Sequence, residues 1–198
     1  MVMPQTDILF VALSFNTIPT MGIFDFLRSN KQKSYDPMNM SVLDLDEGFI
    51  FDYDLKSWTV KNRAVYDWGG NCFTHEYKIS DGDNTYYLSV EQDDGTTVEI
   101  SSPLSLAEID ENVPKYIDKN EKAPFQITYN GNQYRLIEET PGYYQKSKNA
   151  DWDEFISWRY ESRQSKYFIE ISQWDEFEFE ASIGFEVKES KISNILPR

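Results

Sequence analysis

Apolar and polar side chains alternate with a period of two through much of the chain. Leu88 and Val90 alternate with Tyr87, Ser89 and Glu91, and Phe177 and Phe179 with Glu176, Glu178 and Glu180. Alternation of this kind, built from Tyr, Phe, Val and Ile, predicts half-buried strands with one face in a core and the other in water. Asp81-Gly82-Asp83-Asn84, Asp93-Asp94-Gly95 and Asn130-Gly131 separate the runs, and the Asp-Gly and Asn-Gly pairs tolerate the positive φ of tight hairpins. One helical signal interrupts the strands. Ser105-Leu106-Ala107-Glu108 has capping-box spacing and leads into Ile109, with Pro114 expected to close the helix soon afterwards.

The alternating segments recur. Phe51 to Val60 lines up with Ile127 to Leu136 at a constant offset of 76, so Tyr53 meets Tyr129 and Trp58 meets Tyr134. Glu76 to Ile100 lines up without gaps against Ser157 to Ala181 at an offset of 81, which pairs Tyr77 with Trp158, Leu88 with Ile169 and Val98 with Phe179. The second copy therefore carries five extra residues in a loop. Recurrence in register predicts an all-β protein of two tandem antiparallel β units, barrel- or sandwich-like, joined by a short helical linker. The expected limits are a first repeat over 43–101, a linker over 102–123, a second repeat over 124–187 and a tail over 188–198. Residues 1–42 are expected to hold a leader, a short amphipathic segment and a polar tether.

Within that leader, Ile8 to Phe15 is an apolar run too short to span a bilayer, and Asp7 before it is the wrong charge for a secretory signal. The natural start is expected at Met21. From there Ile23, Phe26 and Leu27 share one helical face, flanked by Phe24 and followed by Arg28, Lys31 and Lys33. Such a segment suits weak attachment to an anionic membrane surface; docking on the protein's own β body is the alternative.

Composition narrows the function. The 198 residues carry 34 Asp and Glu against 19 Lys and Arg, a net charge of -15, so nucleic acid is excluded as an expected partner. Forty per cent apolar residues exclude a disordered acidic chain. Cys72 is the only cysteine and His75 the only histidine, so no intramolecular disulfide and no thiolate or imidazole metal cluster can be assembled. A reducing cytoplasm fits this usage.

Gly48-Phe49-Ile50-Phe51-Asp52-Tyr53, Ser57-Trp58-Thr59-Val60, Tyr66, Glu76-Tyr77-Lys78-Ile79 and Tyr87-Leu88-Ser89-Val90-Glu91 resemble the bacterial family of domain of unknown function 4178. The resemblance is clearest over residues 43–100 and extends weakly over 125–187. It implies no activity, but it does imply association with phage-shock-like membrane-stress systems and with polyamine-synthesis enzymes.

Catalytic and metal-binding patterns are sparse. Cys72 and His75 stand three apart, which in a strand points them to opposite faces. Asp81-Gly82-Asp83-Asn84-Thr85-Tyr86 begins like a calcium loop but puts Thr85 and Tyr86 where a third ligand and a glycine belong. Gly69-Gly70 lacks a phosphate-binding pattern. No cofactor, metal or catalytic residue is therefore assigned, and an enzyme is not expected. The candidate ligand site is a set of loop aromatics and acids, Tyr66, Asp67, Trp68, Tyr143, Tyr144, Asp151, Trp152 and Asp153, which would hold an ammonium group by cation-π and charge attraction together. Three expectations stay open: a protein-interaction module of the membrane-stress machinery, which comes first, a polyamine or other cation binder, and an undetected enzyme. The expected location is the cytoplasm, with peripheral contact at the inner face of the membrane as an extension.

Overall fold

Two tight hairpins start the two halves of the fold. In the computed structural model, which describes residues 39–198, β1 (Ile50–Tyr53) and β2 (Lys56–Asp67) are joined by Asp54 and Leu55 at φ 49° and 62°. β6 (Gln126–Tyr129) and β7 (Asn132–Gln145) are joined by Asn130 and Gly131 at φ 47° and 77°. Two successive left-handed residues match the twist of the flanking strands. Asn-Gly adopts them readily, whereas Leu55, fully exposed, holds a conformation that costs a branched side chain about 1 kcal/mol. The expectations for a start at Met21 and for a surface helix at Ile23, Phe24, Phe26 and Leu27 lie outside the described residues.

From each hairpin the chain continues as a meander. β3 (Phe73–Ser80), β4 (Thr85–Gln92) and β5 (Thr96–Leu104) follow β2; β8 (Asp153–Glu161), β9 (Phe168–Asp175) and β10 (Glu178–Glu186) follow β7. β11 (Ser193–Leu196) ends the chain. All pairings are antiparallel, in the order β11-β1-β2-β3-β4-β5-β10-β9-β8-β7-β6, and a further β2–β7 pairing closes the eight strands from β2 through β5 and β7 through β10 into a ring. The fold is all-β, as the alternation predicts.

The two halves match in register. The bulge in β2 falls between Val60 and Asn62 and that in β7 between Leu136 and Glu138, again 76 residues apart. Each bulge bends its strand so that the first part serves the outer hairpin and the last part the ring. Both seams are symmetric: Asp67 pairs with Tyr143, its counterpart at an offset of 76, and Ser102 with Ile183, its counterpart at 81. One detail departs from the gapless alignment. Tyr77 pairs with Leu88 but Trp158 with Ile171, so the counterpart of Leu88 is Ile171 and not Ile169. A shift of two preserves which face each side chain takes, so the alternation could not reveal it.

Apolar faces of the strands lie outside the ring, and each half covers its own. Phe51, Trp58, Tyr77, Ile79, Leu88 and Val98 form one core, roofed by the 3-10 turn Val42–Asp44 and by Val187, Ile192 and Ile195. Ile127, Tyr134, Trp158, Tyr160, Ile169 and Ile171 form the other, roofed by Val113 and Ile117. These last belong to α2 (Val113–Asn120), which follows the single turn α1 (Leu106–Ile109). Ser105 makes no side-chain cap bond, and Pro114 opens α2 instead of closing a helix. Its missing N–H is tolerated in a first turn.

The C-terminal residues are strand, not tail: Leu196 pairs with Ile50, and Ile195 is buried in the first core. Ile195→Ala should therefore lower the unfolding free energy by about 2–4 kcal/mol, the usual cost of truncating a buried aliphatic. Chemical denaturation would measure it, and a change below about 0.5 kcal/mol would mean that the last strand is not part of the core.

Candidate binding lumen

Since the apolar faces point outward, the polar faces of both meanders point at one another across the ring. They enclose a cavity of about 1240 Å³, larger than an ordinary small-molecule pocket. Among the described residues, eight glutamates and two aspartates line it, and Arg159 is the one cation that does. Glu138, Asp153, Glu161 and Glu178 among them are exposed, so the lumen is in contact with solvent.

Aromatic rings gather where the β2–β7 seam closes. Tyr66 lies 5.6 Å from Trp68, 4.8 Å from Tyr144 and 5.5 Å from Phe155, between ring centroids; Trp174 lies 5.1 Å from Tyr144 and 4.8 Å from Phe155. Gly142 makes room for them, since a Cβ there would meet Phe155 at 3.0 Å and Trp68 at 3.1 Å. A relay of hydrogen bonds orients Trp68: its Nε1 donates to Thr74 Oγ1 at 2.9 Å, and Thr74 Oγ1 donates to Glu91 Oε2 at 2.7 Å. Trp174 Nε1 is buried without a hydrogen-bond partner among the described residues.

Beside the rings, Glu76 accepts a hydrogen bond from Tyr66 Oη at 3.3 Å. Burial, and then the charge of Glu170 on the second meander, push the Glu76 pKa up to about 7, with the Tyr66 bond opposing and Glu180 adding to the rise. Glu170 is also raised by burial, against the pull of the Ser157 hydroxyl, which donates to it at 2.6 Å, and of Arg159. Burial and nearby carboxylates raise Tyr144 to about 12 and Tyr66 well above the ordinary tyrosine value.

Of the residues singled out from sequence, Tyr66, Trp68, Tyr144 and Asp153 come together on the lumen. Tyr143 does not, because as the neighbour of Tyr144 in β7 it takes the opposite face, 47% exposed. Trp152, 44% exposed, and Asp151 stay in the loop before β8, and the Asp67 carboxylate caps the turn at Gly69 N, 2.9 Å away. Sequence reasoning missed Glu76, Phe155, Glu170 and Trp174. The available signal was a large aromatic on the polar face of a strand: Trp174 shares the parity of Ser172 and Glu170, and Phe155 that of Ser157 and Arg159.

Cys72 lines the lumen, whereas His75 lies on the outer face of β3, against the Arg63 guanidinium at 3.4 Å. Burial and then Arg63 lower the His75 pKa, and burial raises that of Cys72. The Asp81 carboxylate accepts from Asp83 N and Asn84 N and pairs with Lys56, which makes it the centre of a hairpin turn. Among the described residues no group of three or more His, Cys, Asp or Glu is placed to hold a metal, and no helix is long and apolar enough to cross a membrane.

The family model described as domain of unknown function (DUF4178) matches residues 46–189. An uncharacterized protein of Aquifex aeolicus (strain VF5) is 28% identical over 183 residues, which covers 90% of this chain and 100% of the relative. No solved structure matches.

The raised Glu76 pKa makes a stability prediction. The folded state holds this proton more tightly than the unfolded chain, whose value is near 4.5. The protein is thus favoured by Glu76 below pH 4.5 and loses that advantage as pH rises from 4.5 to 7, by at most about 3 kcal/mol. Glu76→Gln should raise stability by about 1–3 kcal/mol at pH 8 and change it little at pH 4. Urea titrations at both pH values would read this, and equal effects at the two would contradict the buried charge.

Proposed function

The chain belongs to the family described as domain of unknown function DUF4178, and we propose that the lumen of its barrel receives a small organic cation, a polyamine or a similar alkylammonium. The supporting observation is the aromatic cluster beside the Glu76 carboxylate, in a lumen whose own Arg159 is already paired with Glu99. A chamber with low-dielectric walls lined by one sign of charge focuses field on its interior and concentrates counter-ions there. Ring faces hold an ammonium with about 2 kcal/mol when it is desolvated and also accept its methylene chain. A metal ion would have to shed a tightly held water shell to reach the rings and has no methylene chain to lay against them, so an alkylated cation fits better.

We read the matched registers as the mark of a duplicated unit, which makes the lumen the interface of its two copies. Protein interaction, the first expectation from sequence, draws support from β11 and β6, which stand at the two ends of the sheet order among the described residues.

Spermidine should bind the protein with favourable heat in calorimetry and raise its melting temperature beyond the shift given by sodium chloride at matched ionic strength. Glu76→Gln and Tyr144→Ala should each weaken binding about tenfold or more, and Trp152→Ala less than about twofold. A cation needs Glu76 ionised, against the opposition of Glu170 and Glu180 facing it, so affinity should rise between pH 6 and pH 8 with release of a proton. Identical shifts from spermidine and from matched salt would contradict the receptor role.

A further inference from the structure

Away from the aromatic cluster the lumen holds a cation of its own. Arg159 Nη2 lies 2.7 Å from Glu99 Oε1 and Nη1 3.2 Å from Glu99 Oε2, a two-pronged pair that ties β8 to β5. Its Nε lies 3.4 Å from Glu161 Oε1, and the guanidinium carbon stands 3.8 Å from the centroid of the Phe168 ring. Phe168 is held in turn by Gly184, where a Cβ would come within 2.3 Å of the ring. An aromatic face flanked by carboxylates is the same chemistry that the Tyr66 end presents, with one difference: here the chain supplies the positive charge.

We propose that Arg159 is the specificity-determining residue of the lumen: it fills a second cation subsite, formed by Phe168, Glu99 and Glu161, and so confines an incoming cation to the aromatic end. This rests on the lumen being a cation receptor, as proposed above. A linear ligand with two amino groups fits the free end alone. One with four would reach the second subsite only by displacing a guanidinium held by two charge-assisted bonds, so its additional charges meet only the general field of the lumen and no second aromatic face while Arg159 is in place. Without Arg159, Glu99 and Glu161 stand uncompensated beside the Phe168 face, and a second ammonium takes their field.

The test compares 1,4-diaminobutane with spermine by calorimetry at matched ionic strength, on the full chain and on Arg159→Gln. The full chain should bind the two within about threefold of each other, whereas Arg159→Gln should bind spermine about tenfold or more tightly and diaminobutane within about twofold of its original affinity. A spermine preference above about thirtyfold in the unaltered chain overturns the proposal with no variant needed, because the second subsite would then be open. In addition, methylguanidinium at millimolar concentration should raise the melting temperature of Arg159→Ala by more than that of the unaltered chain, by refilling the vacated place. A merely structural strut would show the rescue but not the change in length preference, so the length preference is the deciding readout. An unchanged spermine-to-diaminobutane ratio in Arg159→Gln overturns the role of Arg159 alone; failure of the unaltered chain to bind either amine overturns the receptor role and the length determination with it.

Discussion

Every strand of the ring has one apolar and one polar face, and the apolar face has to be covered. Here each meander covers its own. The parts of β2 and β7 that precede their bulges serve the outer hairpins with β1 and β6, while Val42–Asp44 and the C-terminal residues Val187, Ile192 and Ile195 roof the first core and α2 the second. Each fully buried side chain of these cores contributes on the order of 1.5–3 kcal/mol. With two cores satisfied on the outside, the polar faces have only each other to meet. Closing the ring through β5–β10 and β2–β7 converts what would be two wet surfaces into one chamber.

That arrangement explains what could and could not be read from the residues. Strands and hairpin turns were legible because period-two alternation and Asn-Gly or Asp-Gly pairs report local backbone. Tyr66, Trp68 and Tyr144 were legible as a cluster because the repeat offset brought their loops into correspondence. The direction of the polar face was not, since Ser89, Glu91, Glu170 and Ser172 look the same whether they face bulk water or a lumen. Pro114 was ambiguous for a local reason: proline both ends helices and begins them, and only the packing of Val113 and Ile117 on the second core decides. Ser193–Leu196 carries no alternation long enough to mark a strand, and pairing with β1 makes it one.

The two seams differ in length. β5 and β10 share six paired positions, from Leu104 opposite Ala181 to Glu99 opposite Glu186, whereas β2 and β7 share three. Tyr66 and Tyr144 are themselves one of those three pairs, so the rings that would hold a cation also close the shorter seam. Ring contacts add about 0.5–1.5 kcal/mol per pair beyond burial, and the Asn62 side chain donates across the same gap to Lys146 O at 3.0 Å. Under the proposed function, occupancy of the aromatic end would in this way be coupled to closure of the barrel. The stability cost of the chamber, a carboxylate at Glu76 held among protein atoms and an indole N–H of Trp174 left unpaired among the described residues, fits a surface kept for binding and not for packing.

The central claim is that the lumen is an acidic chamber which receives a cation beside Glu76, and Glu76 reports on it directly. A carbon-13 NMR titration of the glutamate side-chain carboxyls, with Glu76→Gln used to assign the resonance, should find one carboxyl titrating near pH 7 in the free protein. Spermidine should move that titration toward the ordinary glutamate range, by linkage between cation and proton. A Glu76 carboxyl that titrates near 4.5 with and without spermidine would contradict the account.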